Sequence, residues 1–187
     1  RSLSGGRREH RVRRPIVGVM GAGESASSND CALAECLGEE IVLQGWVLLT
    51  GGRDCGVMAA ANRGAKRVAG SLTIGILPSE SGGVSPDVDV AIFTGMGNAR
   101  DAINVLSCQV VVACGAGGAG TAAEVALALK SGKPVVLVAA PSAAEEFFRG
   151  FGGVVRCVGS AEEAVALIRR ENLLLQPASN SPIASAT

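Results

Sequence analysis

The chain has 187 residues, is 48% hydrophobic, and balances 17 Lys and Arg against 17 Asp and Glu, which suits one domain able to bury its own core without disulfides or metals. Its apolar runs are too short to cross a bilayer, and aromatics at 3% with no tyrosine leave few platforms on which nucleic-acid bases could stack. A soluble globular protein that binds neither membrane nor nucleic acid is the expectation.

Residues 1–14 carry six arginines against Glu9, a net of +5, so the remainder carries −5. This basic arm has no apolar periodicity and is expected to be disordered. It reads as a passive tail; an electrostatic tether, a trimmed transit peptide and a cloning remnant stay open. From Pro15 to Asn172 strand-like and helix-like stretches alternate as a single domain, punctuated by glycine. The first strand is Pro15-Ile-Val-Gly-Val-Met20, followed by Gly21-Ala-Gly23 and a helix from about Asp30 to Gln44. Trp46-Val-Leu-Leu-Thr50 is the second, followed by Gly51-Gly52 and a helix near Cys55 to Val68. Leu72 to Leu77 is the third and Val88 to Phe93 the fourth; Thr94-Gly95-Met96-Gly97 then leads into a helix near Asn98 to Ser107. Gln109 to Cys114 and Pro134 to Ala139 flank a helix from Thr121 to Ser131. Helices near Ala143–Arg149 and Ala161–Asn172 enclose a last strand, Val154 to Val158, and residues 173–187 read as a flexible tail.

Such alternation marks parallel βαβ units with strands covered on both faces. The fold class is therefore α/β: a Rossmann-like, doubly wound parallel sheet flanked by helices. In such sheets the loops after the strand carboxyl ends converge on a ligand crevice. Here those are the four glycine-bearing loops, at 21–23, 50–52, 94–97 and 115–120. The six cysteines show no metal-ligand spacing, and the only histidine, His10, lies in the basic arm. Zinc sites and Ser-His-Asp or Cys-His catalysis thus lack their usual ligands and base.

Gly115-Ala-Gly117-Gly118-Ala-Gly120 fits the G-x-G-x-x-G fingerprint between a strand and a helix. No acidic residue ends the next strand to hold a ribose, which argues against a dehydrogenase. No lysine follows Gly120, which argues against a P-loop. An anion site at a helix N-terminus and a tight turn for close packing both stay open. Thr121-Ala-Ala-Glu124 reads as a capping box; Ser142-Ala-Ala-Glu145 and Ser160-Ala-Glu-Glu163 repeat it away from any glycine loop. Glu124 therefore reads first as a cap orienting an anion-binding helix end, second as a ligand contact and third as a catalyst. Arg53 and Arg100 stand beside the glycine loops. A guanidinium at a helix N-terminus opposes the dipole, so Arg100 reads as either an oxyanion ligand or the partner of Asp101, Asp54 or Glu124.

Taken together, Gly117-Gly118-x-Gly120-Thr121-x-x-Glu124, Gly45-Trp-Val-Leu-Leu-Thr50-Gly51-Gly52-Arg53, Gly56-Val-Met58, Gly75-Ile-Leu-Pro78 and Thr94-Gly95-Met-Gly-Asn-Ala-Arg100-Asp-Ala-Ile103 resemble the Lonely Guy and lysine decarboxylase-like Rossmann superfamily. Within it the chain is most similar to the molybdenum cofactor carrier proteins of algae and cyanobacteria, over about residues 15–170. The resemblance implies a cytoplasmic homo-oligomer, a tetramer built from dimers, that binds and protects molybdenum cofactor (molybdopterin) and passes it to apo-molybdoenzymes such as nitrate reductase. It implies no catalysis and no protein-bound metal. The implied cargo site draws on Gly21, Gly23, Thr50, Gly51, Gly52, Arg53, Thr94, Gly95, Arg100, Gly117, Gly118, Gly120, Thr121 and Glu124, with the phosphate at the helix start 117–121. The alternative within the superfamily is a nucleoside 5′-monophosphate phosphoribohydrolase of the cytokinin-activating type, in which Arg100 and Glu124 would be catalytic. This sequence departs from that pattern at Ala116, where those enzymes have proline, and at Asp101, where they have lysine.

Overall fold

The computed structural model describes residues 13–115 and 117–175. Residues 1–12 of the basic arm, the tail from 176 and Ala116 lie outside the described residues.

Seven strands form one parallel sheet: β1 (Ile16–Gly21), β2 (Val47–Thr50), β3 (Thr73–Leu77), β4 (Val90–Phe93), β5 (Val110–Cys114), β6 (Val135–Val138) and β7 (Val155–Val158). Their order is β4-β3-β2-β1-β5-β6-β7, with Val17 opposite Leu48 on one side and Val110 on the other. The winding direction reverses between β1 and β5, which opens a crevice above their carboxyl ends. Both strands are central, and their interior residues Val17–Met20 and Val110–Cys114 are buried, as expected of a sheet covered on both faces.

Alternating side chains divide the core in two. Val17, Val19, Val110, Val112 and Val136 pack under α1 (Ser28–Leu43), α2 (Gly56–Ala65) and α6 (Ala161–Arg170). Met20, Leu49, Val111, Ala113 and Leu137 pack under α3 (Asp101–Ser107), α4 (Ala119–Lys130) and α5 (Ser142–Arg149). Helices α1 and α2 touch backbone to backbone. A Cβ at Gly38 would stand 1.9 Å from the Ala61 carbonyl oxygen, and one at Gly64 would stand 1.8 Å from that of Glu35. Only glycine permits that approach.

Several boundaries differ from the sequence reading. The helix expected at 98–107 begins as a 3-10 turn, Gly97–Arg100, before α3. Leu173, assigned to the tail, is buried at 1% exposure in a short 3-10 turn, so the folded unit extends past 172. Arg14, assigned to the arm, is tied to the body: its Nε donates to the Gly45 carbonyl at 2.8 Å and its Nη2 to that of Trp46 at 3.2 Å. Among the described residues no helix is long and apolar enough to cross a membrane.

Candidate functional site

A cleft of about 560 Å³ lies above β1 and β5, at the switch point. Its floor is the end of β1 and the turn 21–25. One wall is the first two turns of α4, and the other carries Gly51, Arg53 and Met58, with Asn98, Arg100 and Asp101 closing the end. Of the expected site residues, the structure brings Gly21, Gly23, Gly51, Arg53, Arg100, Gly118, Gly120, Thr121 and Glu124 together around this one space.

The start of α4 is open backbone. Gly118 occupies the N-cap position with no side-chain cap, and the first helical bond runs from the Ala122 amide to the Gly118 carbonyl at 2.9 Å. The amides of residues 119–121 therefore have no intrahelical acceptor and sit at the positive end of the helix dipole. The expected capping box is not formed. Thr121 lies in the third helical position and Glu124 in the sixth, because the N-cap is Gly118, three residues before the one the motif implied. The supposed repeats fare differently. Ser142 is the first helical residue after Pro141 and caps nothing; Ser160 does accept from the Glu163 amide, while the Glu163 carboxylate accepts from Gly159. The complete box is one the sequence reading passed over, Ser27 with Asp30 at the start of α1.

Glu124 instead faces inward. It is 7% exposed, and its Oε1 accepts from Asn104 Nδ2 at 3.0 Å and stands 3.9 Å from Arg100 Nη1. Burial dominates its chemistry and pushes its carboxyl up to about 7, with the Asn104 hydrogen bond opposing the rise. Arg100 pairs with Asp101 at 3.2 Å, resolving its sequence alternatives in favour of Asp101 and Glu124 over Asp54. Its side chain is only 13% exposed, and Nε, sealed from the cleft, has no hydrogen-bond partner among the described residues. The exposed part of the guanidinium, which lines the cleft, is what an oxyanion can reach. Gly51 makes room for the guanidinium: a Cβ there would lie 2.7 Å from both Arg100 Nη1 and Met58 Sδ. Asp101 is also pushed up by burial, against the pull of Arg100.

Arg53 stands at the mouth, paired with Glu24 at 2.5 Å. Both are substantially exposed, so the pair is weak and easily exchanged for a ligand.

Five expected residues serve elsewhere. Thr50 is fully buried; its hydroxyl donates to Asn62 Oδ1 at 3.3 Å and accepts from the Gly52 amide at 3.1 Å. Gly52 has φ +74° and backs onto the Gly75 backbone. The Thr94 hydroxyl donates to the Leu77 carbonyl at 2.9 Å and accepts from the Met96 amide, and Gly95 supplies the positive φ of that turn. These four shape the loops behind the cleft. Gly117 borders a neighbouring cavity. Conversely, Glu24, Met58, Asn98 and Asn104 belong to the site or its backing and went unpredicted. Asn104 had a signal, since it stands four residues after Arg100 and so shares its helix face.

Comparison with known proteins bears on the family and the fold. The model of the SLOG cluster4 family matches residues 14–167. An uncharacterised protein of Archaeoglobus fulgidus is 41% identical over 125 residues, spanning 67% of this chain and 80% of its own. Among solved structures, the molybdenum cofactor binding protein of Rippkaea orientalis is 52% identical with a TM-score of 0.81, covering 86% of this chain and 98% of its own. The molybdenum cofactor carrier protein of Chlamydomonas reinhardtii is 47% identical with a TM-score of 0.80, covering 88% and 100%.

Proposed function

This chain belongs to the SLOG cluster4 family, and from that premise we propose that its cleft binds molybdenum cofactor as cargo, shelters it and delivers it to apo-molybdoenzymes without turning it over. The observation that carries the reading is the pairing of an uncapped glycine-built helix start with the cleft-lining guanidinium of Arg100 around one cleft. The cargo is a pterin bearing one phosphate and a dithiolene-held molybdenum. The phosphate suits the amides of residues 119–121. Arg100 and Arg53 offer donors to the remaining oxygens, and Met58 offers a polarisable surface to a flat ring.

A carrier should hold its cargo and do no chemistry on it. Asp101 fits that role, because its carboxylate occupies Arg100 and places a negative charge in the cleft wall. The phosphoribohydrolase reading has one observation in its favour, a cleft carboxyl near pKa 7 beside an arginine, which is the range a general acid or base uses. Two assays separate the readings. Purified protein should bind the cofactor at micromolar concentration and restore activity to apo-nitrate reductase; failure to bind overturns the carrier. Incubation with AMP or isopentenyladenosine monophosphate should release no free base; release abolished by Glu124→Gln would establish the hydrolase.

The working form is a cytoplasmic homotetramer. All six cysteines are free, as in reducing compartments. Edge strand β4 is exposed at every residue, and from Val90 to Gly97 the chain carries no charge. An uncharged open edge invites pairing with another copy.

A further inference from the structure

Asn104 and Glu124 form a buried pair to which the carrier reading gives no role. Asn104 is fully buried on α3, and its Nδ2 donates to Glu124 Oε1 at 3.0 Å. Arg100 Nη1 faces the same oxygen at 3.9 Å. An amide nitrogen and a guanidinium only donate hydrogen bonds, so both oblige Oε1 to act as an acceptor. A proton on this carboxyl therefore belongs on Oε2. That oxygen has no hydrogen-bond partner among the described residues, and Glu124 lines the cleft beside the open start of α4.

The surrounding charges favour such a proton. From the 3-10 turn and α3, Arg100 and Asp101 face Glu124, and the Cys108 thiol, pushed up to about 12 by burial, adds no charge. Helix α4 carries no other charged side chain before Lys130, and Val19 and Met20 of β1 carry none. At the mouth, Arg53 is paired with Glu24. The Arg100 guanidinium thus stands against the carboxyls of Asp101 and Glu124, and burial raises both of them. An anionic cargo at the start of α4 adds negative charge beside them, and a neighbouring like charge disfavours the ionised form of a carboxyl.

We propose that Glu124 engages the cargo as a neutral acid, its Oε2–H donating to an oxyanion oxygen, with Asn104 as the positioning residue that holds the carboxyl this way round. The inference rests on the carrier reading and deepens it. Cargo binding takes up a proton from solvent, and cargo release returns it.

Calorimetric titration of the full chain with molybdenum cofactor, at pH 6 and pH 8 and in two buffers of unequal ionisation enthalpy, reads that proton directly. Proton exchange by the cargo's own phosphate is read from Glu124→Gln, in which an amide donor replaces Oε2–H. Relative to this variant, wild type should take up about one proton per cargo at pH 8 and little at pH 6. Its affinity relative to the variant should fall about tenfold between the two, as for a carboxyl near pKa 7. Asn104→Leu nearly keeps the volume and removes the donor that opposes the rise in Glu124. The midpoint of the pH profile should therefore move up, a shift that loss of packing alone does not produce. Equal proton exchange in wild type and Glu124→Gln overturns the inference and leaves the carrier intact. An unmoved midpoint in Asn104→Leu overturns the positioning role. Failure of wild type to bind at either pH overturns the carrier reading and this one with it.

Discussion

Arg100 and Glu124 are held by opposite forces. The guanidinium sits in a nearly closed setting with Asp101 and the Glu124 oxygen beside it, and its exposed part lines the cleft. Arg100→Met keeps volume and removes the charge-assisted bonds, so cargo affinity should fall roughly 10- to 100-fold, corresponding to about 1.5–3 kcal/mol. Equilibrium titration measures it. Glu124 has a folded-state pKa of about 7 against an ordinary 4.5. The folded state therefore holds this proton more tightly than the unfolded state. Its contribution is intact below pH 4.5 and is lost as pH rises through 7, by up to roughly 3 kcal/mol. Glu124→Gln should remove that loss, so its urea midpoint should gain on the wild type between pH 5 and pH 8. The same titration should loosen an anionic cargo as pH rises, because an added negative charge enters the cleft. The glycines and both arginines of the cleft were readable in the sequence, since phosphate-approaching loops need bare amides and adjacent cations. The roles of Thr50 and Thr94 were not. A hydroxyl after a strand serves a ligand or its own backbone equally well on paper, and here both turn inward.

At the level of elements, helix starts decide what the glycine edge can do. α1 is closed by its own box, whereas α4 is left open for a ligand. Ser27→Ala should thus cost about 1 kcal/mol in thermal or denaturant unfolding, as N-cap losses do, while Thr121→Ala should cost less than about half of that, since it caps nothing. The reverse ranking would reinstate the box at 121–124. Gly38 and Gly64 carry the α1–α2 contact, and Gly38→Ala should destabilise by roughly 1–3 kcal/mol through overpacking against a carbonyl that cannot move freely. All seven strands were legible, because each is a short continuous apolar run set off by turn residues, including the exposed edge strand β4. Helix origins were not. The T-x-x-E pattern at 121–124 looks like a cap in sequence, but Gly118 takes the N-cap position and the helix begins at Ala119, ahead of it. The Gly38–Gly64 approach left no sequence signal, because mid-helix glycines announce a close partner only once the partner is placed.

For the whole molecule, one α/β domain with its crevice at the β1–β5 reversal follows from the strand order, and β4 is an exposed, uncharged edge strand on which the proposed association of copies can be tested. Exposed Ile92, Phe93 and Met96 lie on or beside that edge. Ile92→Lys should lower the mass seen by light scattering from that of a tetramer toward a smaller species, without loss of secondary structure by circular dichroism. An unchanged mass would place the interface elsewhere. Whether this cleft carries cofactor and performs no hydrolysis is decided by loading the purified chain with molybdenum cofactor and then adding apo-nitrate reductase, with Arg100→Met alongside. Cofactor should be bound at micromolar concentration and activity restored to the recipient enzyme, and both should be lost in the variant. A wild-type chain that takes up no cofactor, yet frees base from AMP, would contradict the carrier reading.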